Sequence, residues 1–341
     1  MFVEVYGGHI GRCSDSEEEQ ELLSYVGRRL LISVPVLFGI LGISFIFVQM
    51  LPGDPVRALM SPEELATASP EYIEQRRSEL GLDKPIFVQF AAWIGEVLQG
   101  NLGHSFRRNT PVADMIFERI GPTAILAITA LSIALIIGVL LGTFAALKQN
   151  SWFDYLSSVT SMMAVSIPNF FLGLMAIYIF SISLGIFPTG GMRTLAASNP
   201  SALDRVHHLI LPALVLAINL IGPYVRYTRQ SMLEVIRQDY ITTARAKGVP
   251  WMKVVFGHGL RNALIPLTTV IAIQVPILLT GLLVIETIFS WPGLGRLTFE
   301  SIMGRDYPVI VAIVFISAVF VVLFNLLADV TAAALDPRIR L

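Results

Sequence analysis

Uncharged stretches alternate with polar ones along this chain, and six of the uncharged stretches are long enough to cross a bilayer. Residues 30–51, 122–147, 155–187, 209–225, 262–285 and 307–328 contain no Asp, Glu, Lys or Arg. A helix rises about 1.5 Å per residue, so roughly 20 apolar residues cover a hydrocarbon core about 30 Å thick. The pattern predicts an all-α integral membrane protein with six transmembrane helices. Prolines punctuate several of these segments. Pro168 predicts a bend in the third, Pro212 and Gly222-Pro223 a weakened or kinked fourth, and Pro266 and Pro276 an interrupted fifth.

The polar connections set the sidedness. Arg28 and Arg29 precede the first span and place the N-terminus in the cytoplasm by the positive-inside rule. Residues 1–27 read as a mobile cytoplasmic acidic tail, with Asp15, Glu17, Glu18, Glu19 and Glu21 crowded together. Residues 52–121 form a long external segment. Its piece 85–98 is amphipathic and reads as a structural lid or rim. The turn Trp291-Pro292-Gly293-Leu294-Gly295 reads as external, with an interfacial aromatic. Six crossings return Arg338 and Arg340 to the cytoplasm, so both termini fall on one side.

Composition agrees. The chain is 54% hydrophobic and only 14% charged, its mean hydropathy is +0.69, and soluble domains carry about 25% charged residues. A net charge near zero, with the basic residues sitting between apolar spans, argues against nucleic acid as a partner. Cys13, the single cysteine, excludes an internal disulfide, and the five histidines lack metal-ligand spacing. No GxxxxGK[ST], H-E-x-x-H or G-x-S-x-G sequence occurs, which predicts neither catalysis nor ATP binding in the chain itself.

Within the spans, charges are expected only beyond the ends, as at Glu286 and Asp329, and this disfavours the alternative of an ion-coupled secondary transporter. A membrane scaffold without transport is a third reading. Neutral polar groups do occur inside the spans. Asn169, Asn219, Tyr224 and Gln274 are candidates for a translocation path, although polar glue between helices explains each of them equally well.

The segment 226–261 stands apart. It carries seven Lys/Arg (Arg226, Arg229, Arg237, Arg245, Lys247, Lys253, Arg261) against Glu234 and Asp239, which makes it a cytoplasmic loop. Within it, residues 240–247 suit a short helix, Gly248 suits the left-handed position that closes one, and Pro250 suits the first turn of the next. The expectation is helix, sharp break, helix.

At these residues, Tyr240-Ile241-Thr242-Thr243-Ala244-Arg245-Ala246-Lys247-Gly248 followed by Arg261-Asn262-Ala263-Leu264-Ile265-Pro266, the chain resembles the ATPase-docking loop of ABC importer permeases. Further matching pieces, in order, are Arg28-Arg29-Leu30, Pro52-Gly53-Asp54-Pro55, Leu80-Gly81-Leu82-Asp83-Lys84-Pro85, Ser166-Ile167-Pro168-Asn169-Phe170 and Trp291 to Gly295 followed by Arg296. Thr242 and Thr243 replace the Glu-Ala that opens the general importer signature, Ala244 keeps its third residue, and Pro266 falls later than the general spacing. These departures favour the dipeptide/oligopeptide/nickel branch, and within it the first of two paired permease subunits.

The resemblance implies a type I ABC importer permease fold over residues 28–341 and a multi-pass place in a bacterial cell membrane. It implies ATPase docking through Tyr240, Thr242, Thr243, Ala244, Arg245, Ala246, Lys247 and Gly248. The implied partners are a second homologous permease subunit, two ATPase subunits that hold ATP and Mg, an extracytoplasmic substrate-binding protein and membrane lipid. No cofactor is expected on the chain itself, and peptide or a related solute is the expected cargo.

Overall fold

A computed structural model describes residues 15–50, 56, 57, 60, 62–194 and 201–335. Cys13, Pro52-Gly53-Asp54-Pro55, Arg338 and Arg340 lie outside the described residues.

Helix α1, Asp15–Gln49, starts earlier than the first apolar run. The acidic stretch expected to be a mobile tail is therefore helical from Asp15 onward. Glu, Gln and Leu are strong helix formers, and carboxylates are favourable in a first turn. The described residues of the connection expected to be external include the short helices α2 (Pro62–Thr67), α3 (Pro70–Glu79) and α4 (Ile86–Leu98). α3 begins at a Ser69 cap, whose Oγ accepts the Tyr72 N–H at 3.2 Å. α4 is the predicted amphipathic piece. Phe90 stacks edge-on to Phe45 of α1 at 5.4 Å, and Trp93 meets Phe315 at 6.0 Å.

Helix α5, Val112–Leu147, begins ten residues before the expected start at Pro122 and runs through that proline. A hairpin follows, then α6 (Trp152–Ser166) and α7 (Asn169–Ala176), which is extended by a π-helical turn over Ile177–Ser183. The Ile167-Pro168 break turns α6 against α7 by 98°. The predicted bend is thus close to a right angle, because Pro168 has no N–H to continue the ladder and holds Ile167 in an extended conformation.

Helix α8, Ala202–Ile236, crosses both Pro212 and Pro223 without a break and continues eleven residues past the expected end at Val225. Thr228 and Met232 are fully buried. The polar segment therefore keeps one packed helical face, and that packing holds the helix where composition predicts a loop. After it come α9 (Asp239–Ala246), α10 (Trp251–Lys253), a π-helical turn over Val254–Gly259, and α11 (Leu260–Ala263). Helix α12, Ile265–Ile288, is continuous: Pro266 sits in its first turn, where a missing N–H costs nothing, and the backbone is helical through Pro276 as well. The chain closes with α13 (Leu294–Gly304) and α14 (Tyr307–Leu335), the latter packed against α1 and α12.

Among the described residues, four helices are long and apolar enough to cross a membrane, and the broken α6–α7 pair makes a fifth. The fifth predicted segment, the remaining one, is α12, whose 24 residues span about 36 Å.

The most extensive helix contact is between α5 and α8. Ala130, Ala134, Gly138, Gly142 and Ala146 recur every four residues along α5 and are all buried. A Cβ at Gly138 would lie 2.6 Å from the Tyr224 Cβ, and one at Gly142 would lie 2.7 Å from the Thr228 Cβ. Small residues at this spacing let two backbones touch, and van der Waals contact is the main force between helices in lipid.

Two expectations are overturned at the end of α12. Trp291 is not an interfacial aromatic: it is buried, and its Nε1–H donates to the Pro122 carbonyl at 2.9 Å. Glu286 is not a charge beyond a span. It lies inside α12 and is fully buried, accepting the Thr123 hydroxyl at 2.7 Å and the N–H groups of Gly295 at 2.7 Å and Arg296 at 3.2 Å. The last two are orphan donors at the start of α13, where a carboxylate is favoured.

Candidate functional site

Only Arg237 and Gln238 separate α8 from α9, so α9 hangs directly from the end of a long helix. One residue anchors it. Ile241 is buried, Ala244 is half-buried, and Tyr240, Thr242, Thr243, Arg245, Ala246, Lys247 and Gly248 are exposed. A helix with a single buried anchor and an open polar face cannot be explained by core packing.

Its end is set by local hydrogen bonding. Gly248 has φ of +79°, its N–H donates to the Arg245 carbonyl at 2.9 Å, and the Val249 N–H reaches the Ala244 carbonyl at 3.3 Å. This is a left-handed closure of the kind that glycine permits. Pro250, with φ of −56°, then opens α10. The predicted helix, glycine break, proline, helix order is what the structure contains, with α9 running one residue earlier at each end. Two contacts across the turn hold the halves together: the Arg245 guanidinium stacks 4.9 Å from the Trp251 ring centre, and the Asn262 amide donates to the Tyr240 hydroxyl at 3.0 Å. Beneath them, Val255 and Ala263 pack with Ala146 of α5 and Met232 of α8 in one apolar cluster.

The four path candidates separate. Asn219 of α8 donates its amide to the Asn169 side-chain oxygen at the start of α7, directly after the Pro168 break. Tyr224 is fully buried in the α5–α8 seam, and Gln274 is half-buried on α12. Near the other end of α8, an open cleft of about 1200 Å³ lies between Pro188–Thr194, His208, Ser290 and Arg296.

Sequence reasoning missed one prominent pair. Arg229 of α8 grips Asp154 of α6 through two parallel bonds, Nε to Oδ1 at 2.5 Å and a terminal nitrogen to Oδ2 at 2.8 Å. Asp154 also accepts the Asn150 N–H at 3.0 Å, while Ser151 Oγ accepts the Asp154 N–H at 3.4 Å. The Ser151-Trp-Phe-Asp154 spacing, a serine three residues before an acid ahead of an apolar run, is a signal that could have found the helix start that holds Asp154. Nothing local marked Arg229 as its partner.

Similar proteins align with this chain over nearly its whole length. The family model described as binding-protein-dependent transport system inner membrane component matches residues 138–341, and the one for the N-terminal part of such membrane components matches residues 22–127. The oligopeptide transport system permease protein AppB of Bacillus subtilis is 44% identical over 320 residues, covering 94% of this chain and 100% of that protein. The glutathione transport system permease protein GsiC of Escherichia coli K12 is 43% identical over 319 residues, covering 94% and 99%. A chain of the inward-facing MetNI methionine ABC transporter aligns with TM-score 0.53 at 17% identity, covering 65% of this chain and 96% of that one, a likeness of fold.

Proposed function

The chain belongs to the inner-membrane permease components of binding-protein-dependent ABC importers, and from that premise we propose that it moves a peptide or peptide-like solute while ATP is hydrolysed on partner subunits docked at α9. Relatives named as oligopeptide and glutathione transport permeases support the cargo class. The second permease, two ATPase subunits carrying ATP and Mg, and an extracytoplasmic binding protein complete the assembly. In this reading the membrane is the bacterial inner membrane, both termini and α9 are cytoplasmic, and residues 52–121 face outward.

The observation that carries the docking assignment is the exposed face of α9 beside its one buried anchor. Tyr240, Thr242, Thr243, Ala244, Arg245, Ala246, Lys247 and Gly248 form the surface that enters a cleft on the ATPase. Exposed Arg245 and Lys247 steer the approach, and the Gly248 turn fixes the angle at which α9 leaves α10. The Asn169–Asn219 contact puts polar groups at a broken helix, where freed backbone groups can face a wet passage.

A buried carboxylate inside a span is what an ion-coupled carrier would need, and Glu286 supplies one. Its oxygens, however, are already taken by Thr123, Gly295 and Arg296, which makes it the cap of α13. The test is a Thr243→Cys crosslink. On a Cys13→Ser background, a short bifunctional reagent should join this position to a co-purified ATPase subunit, and uptake in vesicles should require ATP. Uptake by the chain alone under an ion gradient would overturn the reading.

A further inference from the structure

We propose that α6 is the strut that carries movement of the docking helix to the Pro168 break, and that Asp154–Arg229 is the joint by which α8 grips it. This rests on α9 being the ATPase-docking helix. The end of α8 lies two residues from α9, so displacement of α9 acts directly on it, and Arg229 lies seven residues before that end, about 10 Å along the helix.

Three contacts then tie α6 and its continuation to α8. Asp154 meets Arg229 in the two-bond geometry given above. Seven residues on along α6, and seven back along α8, the backbones touch: a Cβ at Gly222 would lie 2.6 Å from the Ser161 carbonyl oxygen. Equal steps in opposite directions mean that the two helices run antiparallel in fixed register for two turns. The third contact, Asn219 to Asn169, comes just beyond the break, at the first residue of α7.

These contacts are not equivalent. Backbone contact at Gly222 is non-directional and permits sliding. A planar guanidinium meeting a carboxylate edge-on permits neither sliding nor rotation without losing a bond. The Asp154 side chain is buried, at 4% exposed, and that of Arg229 is half-buried, at 26%, so water reaches the pair only from the arginine side. Ser151 already caps α6, so the helix start does not depend on the ion pair. What the pair adds is register between α6 and α8. Asp154 and Arg229 are therefore positioning residues for transport: they set how far the α6–α7 break moves when α8 moves.

The experiment uses the full complex with its ATPase subunits and binding protein in vesicles, and reads uptake per ATP hydrolysed. The neutral double variant Asp154→Asn/Arg229→Gln should still co-purify with its partners, yet lose about five-fold or more of that ratio, the size of an ordinary coupling between sites. Asp154→Glu, and the exchange Asp154→Arg/Arg229→Asp, should recover most of it, which a purely space-filling role would not predict. A wild-type ratio in the neutral variant overturns the proposal. If that variant does not assemble, Asp154→Cys/Arg229→Cys on the Cys13→Ser background decides. Bridging the two cysteines with a short bis-maleimide should raise the ratio above that of the unbridged protein, and no change on bridging also overturns the proposal. Loss of the Thr243→Cys crosslink in otherwise unaltered protein would instead overturn the docking reading on which this rests.

Discussion

Replacing Gly248 isolates the contribution of one backbone angle. Its φ is +79°, and a Cβ built there would meet nothing within 4 Å. A side chain therefore fits, and the whole penalty comes from the left-handed conformation. For an ordinary L-residue that penalty is about 1–2 kcal/mol, and a β-branched residue lies at or above the top of the range. At about 1.4 kcal/mol per factor of ten, Gly248→Val lowers the population of the turn relative to its alternatives by roughly thirty-fold for a penalty of about 2 kcal/mol.

The bonds that oppose this loss are few: Gly248 N–H to Arg245, Val249 N–H to Ala244, the Arg245–Trp251 stack, and the Asn262 amide to the Tyr240 hydroxyl. α9 then leaves α10 at a different angle while the membrane helices, which Gly248 does not touch, stay packed. Gly248→Asn is the control, since Asn enters the left-handed region readily. In the reconstituted complex, substrate-stimulated ATP hydrolysis should fall in the order Gly, Asn, Ala, Val, with chain levels in the membrane nearly constant. Equal stimulation in the Val and Asn variants would refute the argument, because those two differ chiefly in their tolerance of positive φ.

Two further perturbations test the packing that carries α8 and α12. Gly142→Leu should force α5 and α8 apart, since a Cβ alone would sit 2.7 Å from both the Thr228 Cβ and the Val225 carbonyl oxygen; overpacking of this kind costs about 1–3 kcal/mol, and an unchanged Tm in detergent would contradict the seam described here. Glu286→Ala should strand the Thr123 hydroxyl and the Gly295 and Arg296 N–H groups, at about 1–3 kcal/mol for a buried group left without a partner. Glu286→Gln, whose amide oxygen still accepts, should cost less, and equal Tm losses in the two variants would count against the cap.

The features legible in the sequence are those whose cause is local. Gly248 and Pro250 announced their turn because each residue restricts its own φ, and Pro168 announced the break for the same reason. The apolar runs announced the membrane helices because length and hydropathy suffice. Pro276 misled in the same terms: a proline removes one hydrogen bond, and α12 continues through that loss. Trp291 and Glu286 misled because their partners are remote. Trp291 donates to a carbonyl 169 positions earlier and Glu286 accepts from a hydroxyl 163 positions earlier. An aromatic beside Pro and Gly reads as interfacial until that carbonyl is known, and a carboxylate near the end of an apolar run reads as external until its three donors are known.

The same division of causes separates how the docking surface is held from how its motion travels. α9 keeps its shape through bonds between residues fewer than six apart and one across the turn to Asn262, so it can be pushed as a unit. The helices that must respond are joined by contacts of the opposite kind: Asp154 and Arg229 lie 75 positions apart, Asn169 and Asn219 lie 50 apart. A lever needs both. If the docking helix were sewn into the core by many long-range contacts, a force on it would be spread over all of them. If α6 and α8 were joined only by apolar faces, α8 could slide past α6 and leave the Pro168 break where it was. One two-bond ion pair, buried on its carboxylate side, is enough to forbid that sliding, and its place between the docking end of α8 and the break puts it where the force must pass.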